Sequence, residues 1–161
     1  MRRLLALLAL ALLPGCWGYH TLADTPGRIR STALSPFQNR TLYTGLEFEL
    51  QEALVKELQA KSGIVVVGAG VADAVLDGRV MDFSRSVLKQ NAEGRDIEFQ
   101  ITITADFSLK ERRTGKVLSA RDGVSVSGSF LLTRGESEAT ARARAMSELA
   151  ERIVSMILYA W

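Results

Sequence analysis

Residues 97–110 (IEFQITITADFSLK) alternate apolar and polar almost without error. Ile97, Phe99, Ile101, Ile103, Ala105, Phe107 and Leu109 fall on one side. Glu98, Gln100, Thr102, Thr104, Asp106, Ser108 and Lys110 fall on the other. Successive side chains of a strand point to opposite faces, so this segment reads as a long strand with one dry and one wet face. The dry face needs a covering layer from the rest of the chain.

The neighbouring segments supply the rest of a sheet. Residues 72–88 alternate imperfectly, which predicts a bulge or bend near Gly78. Residues 116–132 place Leu118, Ala120, Val124, Val126 and Phe130 inward and serines outward. The links, AEGRD and RRTGK, are short, polar and glycine-containing, so the three strands form an antiparallel meander. A first strand is expected within 28–37, ended by Pro36, and a short apolar one at 64–67.

Two segments change period. Leu46, Leu50, Leu54 and Leu58 recur every fourth residue with Ala53 beside them, which predicts an amphipathic helix over 43–60 with Thr44 as N-cap and Glu47 as its capping-box partner. Met146, Leu149, Ala150, Ile153 and Ile157 form a second stripe, in a helix from near Glu136 to Leu158 capped by Ser137 or Gly135. The expected fold is α+β: a two-layer sandwich with an about four-stranded, mainly antiparallel sheet and two long helices packed on one face.

The amino-terminal segment has another purpose. Arg2 and Arg3 precede an unbroken Leu/Ala run from Leu4 to Leu13, too short to span a bilayer as a helix but suited to a secretory signal. Leu13-Pro14-Gly15-Cys16 follows and is similar to a bacterial lipobox, in which cleavage before the cysteine exposes a thiol that takes a diacylglycerol. The expected organisation is a signal peptide at 1–15, a lipidated tether at 16–27 and one domain at 28–161. Trp17, where aspartate would retain a lipoprotein at the inner membrane, points to the outer membrane. Loss of Arg2 and Arg3 lowers Lys+Arg from 20 by two, level with the 18 Asp+Glu, so no basic field remains for nucleic acid.

Catalytic chemistry finds little support. One cysteine and one histidine, His20 in the tether, exclude a disulfide and mechanisms that need two of either. Gly68-Ala69-Gly70 follows a strand but lacks the third glycine and uninterrupted helix of a dinucleotide site. Asp73, Asp77 and Asp82 do not converge on one ion if they lie on a strand. No enzyme activity, cofactor or metal is expected. The remaining candidates are cations at strand ends: Arg85, Lys89 and Arg95 about the first hairpin, Arg112 and Arg113 at the second, all suited to phosphates.

The ordered set of features resembles the LptE family of lipopolysaccharide-assembly lipoproteins. After the lipobox come Gly18-Tyr19-His20, Pro36-Phe37 with Asn39, Gly45-Leu46-Glu47 and the strand Ala72-Asp73-Ala74-Val75-Leu76-Asp77-Gly78. Gly115-Lys116-Val117 and a terminal helix opening Glu136-Ser137-Glu138-Ala139 complete it. The resemblance implies an outer-membrane lipoprotein on the periplasmic side, anchored through Cys16. Its implied role is to support and plug an LptD-like β-barrel and help deliver lipopolysaccharide to the outer leaflet. It also implies lipopolysaccharide binding by basic residues near strand ends; by position these are Arg85, Lys89, Arg95, Arg112 and Arg113. The alternative is a structural envelope lipoprotein with another periplasmic or outer-membrane partner.

Overall fold

The computed structural model describes residues 29–61 and 63–159. The expected signal segment and tether, with Cys16, Trp17 and His20, lie outside the described residues. Within them, β1 (Ser31–Leu34), β2 (Gln38–Asn39), α1 (Leu46–Lys61), β3 (Val65–Val66), β4 (Ala74–Gln90), β5 (Asp96–Glu111), β6 (Val117–Leu131) and α2 (Glu138–Tyr159) follow in order, with a single 3-10 turn over Leu132–Arg134. None of these helices is long and apolar enough to cross a membrane.

The α+β class and the two helices are as expected, but the sheet is larger and mixed. It has six strands in the order β3-β1-β4-β5-β6, with β2 also against β4. The meander β4-β5-β6 is antiparallel, while β1, β2 and β3 add parallel pairs at one edge. The strand expected before Pro36 is β1, Ser31–Leu34. β1 pairs with β4 at Thr32–Leu34, the chain breaks at Pro36, which has no amide hydrogen to donate, and β2 rejoins the same edge at Arg79 and Val80.

Phe37, at that break, turns into the core over Gly78. A Cβ on Gly78 would overlap the Phe37 ring and lie 2.6 Å from the Asp106 carbonyl oxygen. The irregularity expected near Gly78 falls between Val80 and Asp82 and not at Gly78 itself, which stays in register opposite Phe107; a further one comes near Lys89. Its lack of a side chain makes room for an aromatic ring.

β5 behaves as its alternation requires. Ile101, Ile103, Ala105, Phe107 and Leu109 are buried against the helices. Thr102 and Thr104 on the other face hydrogen-bond across the ladder to Ser127 (2.9 Å) and Ser125 (3.1 Å). In β6, Val124, Val126 and Phe130 face inward as expected, but Ala120 is exposed. Asp122 and Gly123 together oppose Asp106, with Gly123 at φ 67 and its N–H donating to Asp106 Oδ1 at 2.9 Å. That extra residue reverses the facing of the strand before it.

Leu46, Leu50, Leu54 and Leu58 bury one face of α1. Gly45 rather than Thr44 leads this helix, its carbonyl accepting the Phe48 and Glu49 N–H groups. Glu47 accepts instead from Asn39 Nδ2 at 2.7 Å, and Asn39 Oδ1 accepts from the Thr41 N–H and hydroxyl, so Asn39 fixes the turn from β2 into α1. Ser137 caps α2, its hydroxyl accepting from the Thr140 N–H at 3.2 Å. α2 crosses β6 where Gly128 faces Ala141 and Ala145; a Cβ on Gly128 would lie 3.2 Å from the Ala141 carbonyl oxygen. The helices run parallel, joined by Arg142–Glu49 (3.0 Å) near their starts and Lys61–Glu151 (2.6 Å) near their ends.

Gly78→Ala is expected to cost about 1–3 kcal/mol, because the Phe37 ring must leave its seat. Gly70→Ala, where an added Cβ meets nothing within 4 Å, should stay within about 0.5 kcal/mol of wild type. Urea unfolding of the two variants beside wild type measures the contrast.

Candidate functional site

The meander places the strand-end cations at two opposite ends. β5 has sixteen residues, so at about 3.3 Å per residue the two hairpins stand roughly 50 Å apart. Arg85, Lys89 and Arg95 belong to the β4–β5 end; Arg112 and Arg113 belong to the β5–β6 end. The sequence presents the five as one class, but one ligand headgroup cannot reach both groups.

At the β4–β5 end the hairpin is closed by Asn91. Its side-chain oxygen accepts from the Glu93 N–H (3.1 Å) and the Arg95 N–H (2.9 Å), and Gly94 takes the turn at φ 75. This fixes the backbone that carries Arg95. The Arg95 side chain is exposed and lies only within 3.9 Å of Glu93. Lys89 makes no ion pair among the described residues.

Arg85 differs from these two. It sits opposite Ile101, on the helix-facing side of the sheet. Its Nη1 donates to Glu138 Oε2 at 2.9 Å, and its guanidinium lies 5.4 Å from the centroid of Phe99, which stacks on Phe130. Arg85 thus covers the end of the core and ties the first turn of α2 to β4. Its charge is already engaged.

The fold adds a residue that the sequence did not single out. Arg134 lies in the 3-10 turn just after β6, and β6 ends opposite Glu98 at this same end of the sheet. Three of the neighbouring carboxylates are occupied. Glu136 accepts the Leu131 N–H at 2.8 Å, Asp96 accepts from Gln90 at 2.8 Å and Glu138 holds Arg85. Lys89, Arg95 and Arg134 are exposed at this tip, with Glu98 opposite Lys89 and Glu93 beside Arg95. Only strand pairing could reveal Arg134, since nothing local in the sequence sets it apart.

The β5–β6 end is held by Asp73. Its Oδ2 accepts from the Arg30 N–H (3.1 Å), the Ser31 N–H (3.0 Å) and the Ser31 hydroxyl (2.9 Å). Its carbonyl accepts from the Arg112 N–H at 2.9 Å. The Ser31 hydroxyl, then the backbone N–H groups, hold the Asp73 carboxyl below the usual aspartate range. Arg112 Nε donates to the Ala72 carbonyl at 2.6 Å, so Arg112 positions the hairpin, while Arg113 projects from it.

A groove of about 510 Å³ lies on the polar sheet face, between the β1–β2 break and β5. It is lined by Arg40, Asp77, Arg79, Asp106, Lys110 and Asp122, among others. Arg79 pairs with Asp106 (3.0 Å) and Lys110 with Asp77 (3.1 Å), so its charge is largely compensated internally. Asp73, Asp77 and Asp82 go separate ways, the first to backbone donors and the second to Lys110. Among the described residues no group of three or more His, Cys, Asp or Glu could hold a metal ion.

The family model for lipopolysaccharide assembly, LptE, matches residues 29–157. The chain belongs to the LptE family. Its fold is similar to those of several solved structures. One is an uncharacterized lipoprotein B from Nitrosomonas europaea (TM-score 0.58, 11% identity, covering 81% of this chain and 83% of that one). A second is a hypothetical protein from Chlamydia trachomatis (0.55, 12%, 80% and 98%). A third is a minor lipoprotein from Acinetobacter baumannii (0.54, 18%, 81% and 93%). No curated protein matches the sequence.

The Asp73 carboxylate contributes stability while it is ionised. Its pKa is depressed in the folded state, so that contribution is present above the ordinary aspartate pKa and is lost as pH falls through the depressed value. Asp73→Ala is expected to melt below wild type at neutral pH, and the two melting curves should converge in acid. Thermal melts across a pH series check the convergence.

Proposed function

We propose that this chain is an outer-membrane lipoprotein of lipopolysaccharide assembly, held on the periplasmic side by lipid on Cys16. In this reading it supports the folding of an LptD-like β-barrel, plugs its lumen and helps pass lipopolysaccharide to the outer leaflet. Membership of the LptE family carries the reading. The role is binding and scaffolding, not catalysis.

Two features of the fold suit that role. A wide barrel has a polar, wet lumen. The free face of the meander offers hydroxyls, Thr102, Thr104, Ser125 and Ser127, already paired across the ladder. Such a face tolerates water and needs no apolar partner, as a plug requires. A lipid at Cys16 confines the plug to the membrane that holds the barrel, raising its effective concentration there. The outward cations Lys89, Arg95 and Arg134 then form the tip that takes glycolipid phosphates. Arg85 supports that tip by fixing α2 to β4.

Hydrogen bonds to charged groups contribute about 1.5–3 kcal/mol each. Replacing Lys89, Arg95 and Arg134 together by Ala is expected to weaken lipopolysaccharide binding at least tenfold without lowering the melting temperature. Binding of labelled lipopolysaccharide to the purified variant measures this; unchanged affinity would remove the tip from the site.

The tether has its own test. Cys16→Ala should shift the protein out of the membrane fraction and reduce co-purification of the barrel. If both were retained, the anchor would not be what brings the partners together.

A further inference from the structure

The β5–β6 end carries features that the proposed function leaves unused. Ile29, where the described chain begins, packs here with Leu58, Ile64 and Ile157. Residues 17–28 alone separate it from Cys16, and even fully extended they reach at most roughly 40 Å. A lipid on Cys16 therefore holds this end within that reach of the bilayer surface, whereas the proposed glycolipid tip lies roughly 50 Å further along the sheet.

The chemistry of this end suits such a neighbour. Val65 (60% exposed), Val71 (74%), Val117 (52%) and Tyr159 (90%) come from four separate places in the chain and lie toward this end, Val65 and Val117 on opposite edge strands of the sheet. Val65 is opposite Ser31 in the sheet, and Val71 closes the turn before Asp73. Val117 leaves the hairpin, and Tyr159 ends α2. Beside them, the Arg113 and Lys116 side chains project with no ion pair among the described residues. The other lysines toward this end are taken up, Lys61 by Glu57 and Glu151 and Lys110 by Asp77.

The hairpin is also fixed in place. Lys116 O accepts the Glu111 N–H (2.8 Å), Glu111 O accepts the Gly115 N–H (2.8 Å), and Thr114 hydrogen-bonds to the Glu111 carboxylate. Arg112 and Asp73 bind the hairpin to the segment that leads toward the anchor. Exposed valines and a tyrosine beside exposed cations are the composition of a surface that settles between headgroups and acyl chains.

We infer that this end is a membrane-contact surface. Arg113 and Lys116 meet the phosphates of anionic phospholipids, and Val71, Val117 and Tyr159 enter the interfacial layer. The inference rests on the Cys16 anchor for its orientation, but the surface chemistry can be tested without the anchor. Juxtamembrane cations contribute about fivefold in affinity each near an anionic surface.

The test uses the whole mature chain with Cys16→Ser, so that no lipid contributes. Co-sedimentation with vesicles of phosphatidylcholine, with and without phosphatidylglycerol, is compared with binding to lipopolysaccharide. Wild-type surface residues should give salt-sensitive binding to the phosphatidylglycerol vesicles. Arg113→Gln with Lys116→Gln should reduce it at least tenfold, and Val71→Ser with Tyr159→Ser should reduce it as well. Equal binding by wild type and the Arg113/Lys116 variant would overturn the inference. So would a loss confined to lipopolysaccharide, which would make this end a second glycolipid site. Mass spectrometry of the native protein tests the anchor separately, so failure of the Cys16 reading and failure of the surface are distinguishable.

Discussion

β5 is paired on both edges and has its apolar residues on one side, and that constraint organises everything around it. Ile101, Ile103, Ala105, Phe107 and Leu109 must be covered, and in one direction only. α2 lies over β6 and β5, and α1 packs beside it, so the core is a single layer between helices and sheet. The close approach is possible because α2 meets the sheet with Ala141 and Ala145 where β6 has Gly128. A larger residue at these positions would lift the helix from the strands it covers. The opposite face is then left to water, and its hydroxyl ladder is the consequence.

The same arrangement gives the molecule two chemically distinct ends. Long antiparallel strands separate the hairpins, and parallel helices set both helix starts at one end and both helix ends at the other. At the β4–β5 end the first turn of α2 engages Arg85 and leaves Lys89, Arg95 and Arg134 outward. At the β5–β6 end Asp73 collects the backbone of three segments. The free edge of β6 is also managed. Arg144 and Arg152 reach from α2 to the Ser129 (3.0 Å) and Ser125 (2.8 Å) carbonyls. Two acceptors that could template another strand are thereby satisfied.

The parts legible in the sequence are those that local periodicity determines. β5 and the leucine stripe of α1 are of this kind, whereas the sequence offers Ser137 and Gly135 alike as the cap of α2, and the hydroxyl of Ser137 takes the role. What failed was decided by pairing partners far along the chain. Pro36 signals the end of β1 but not that β2 returns to the same edge of β4. Gly78 looks like a bend because its real reason, the Phe37 ring, lies about forty positions earlier. Ala120 reads as inward because the two-for-one pairing of Asp122 and Gly123 with Asp106 leaves no mark on the pattern of β6 alone. Glu47 fits a capping box, yet Asn39 is the stronger local partner. Among the site residues, strand ends were readable and strand partners were not. Arg85 therefore looked as available as Lys89, and Arg134 was passed over.

The difference between Arg85 and Lys89 follows from sheet geometry. Arg85 pairs opposite Ile101 and points toward the helices, whereas Lys89 lies beyond a register shift, opposite Glu98. The irregularity between Val87 and Lys89 turns the last cation of β4 away from the core-facing row. Without it, Lys89 would follow Phe83, Arg85 and Val87 on the same side, toward the helix layer. One irregular pairing therefore leaves one basic residue supporting the scaffold and the next facing solvent. In the proposed tip, Arg85 thus serves as support, held by Glu138 and lying over Phe99, while Lys89 stays exposed with Glu98 as its cross-strand neighbour.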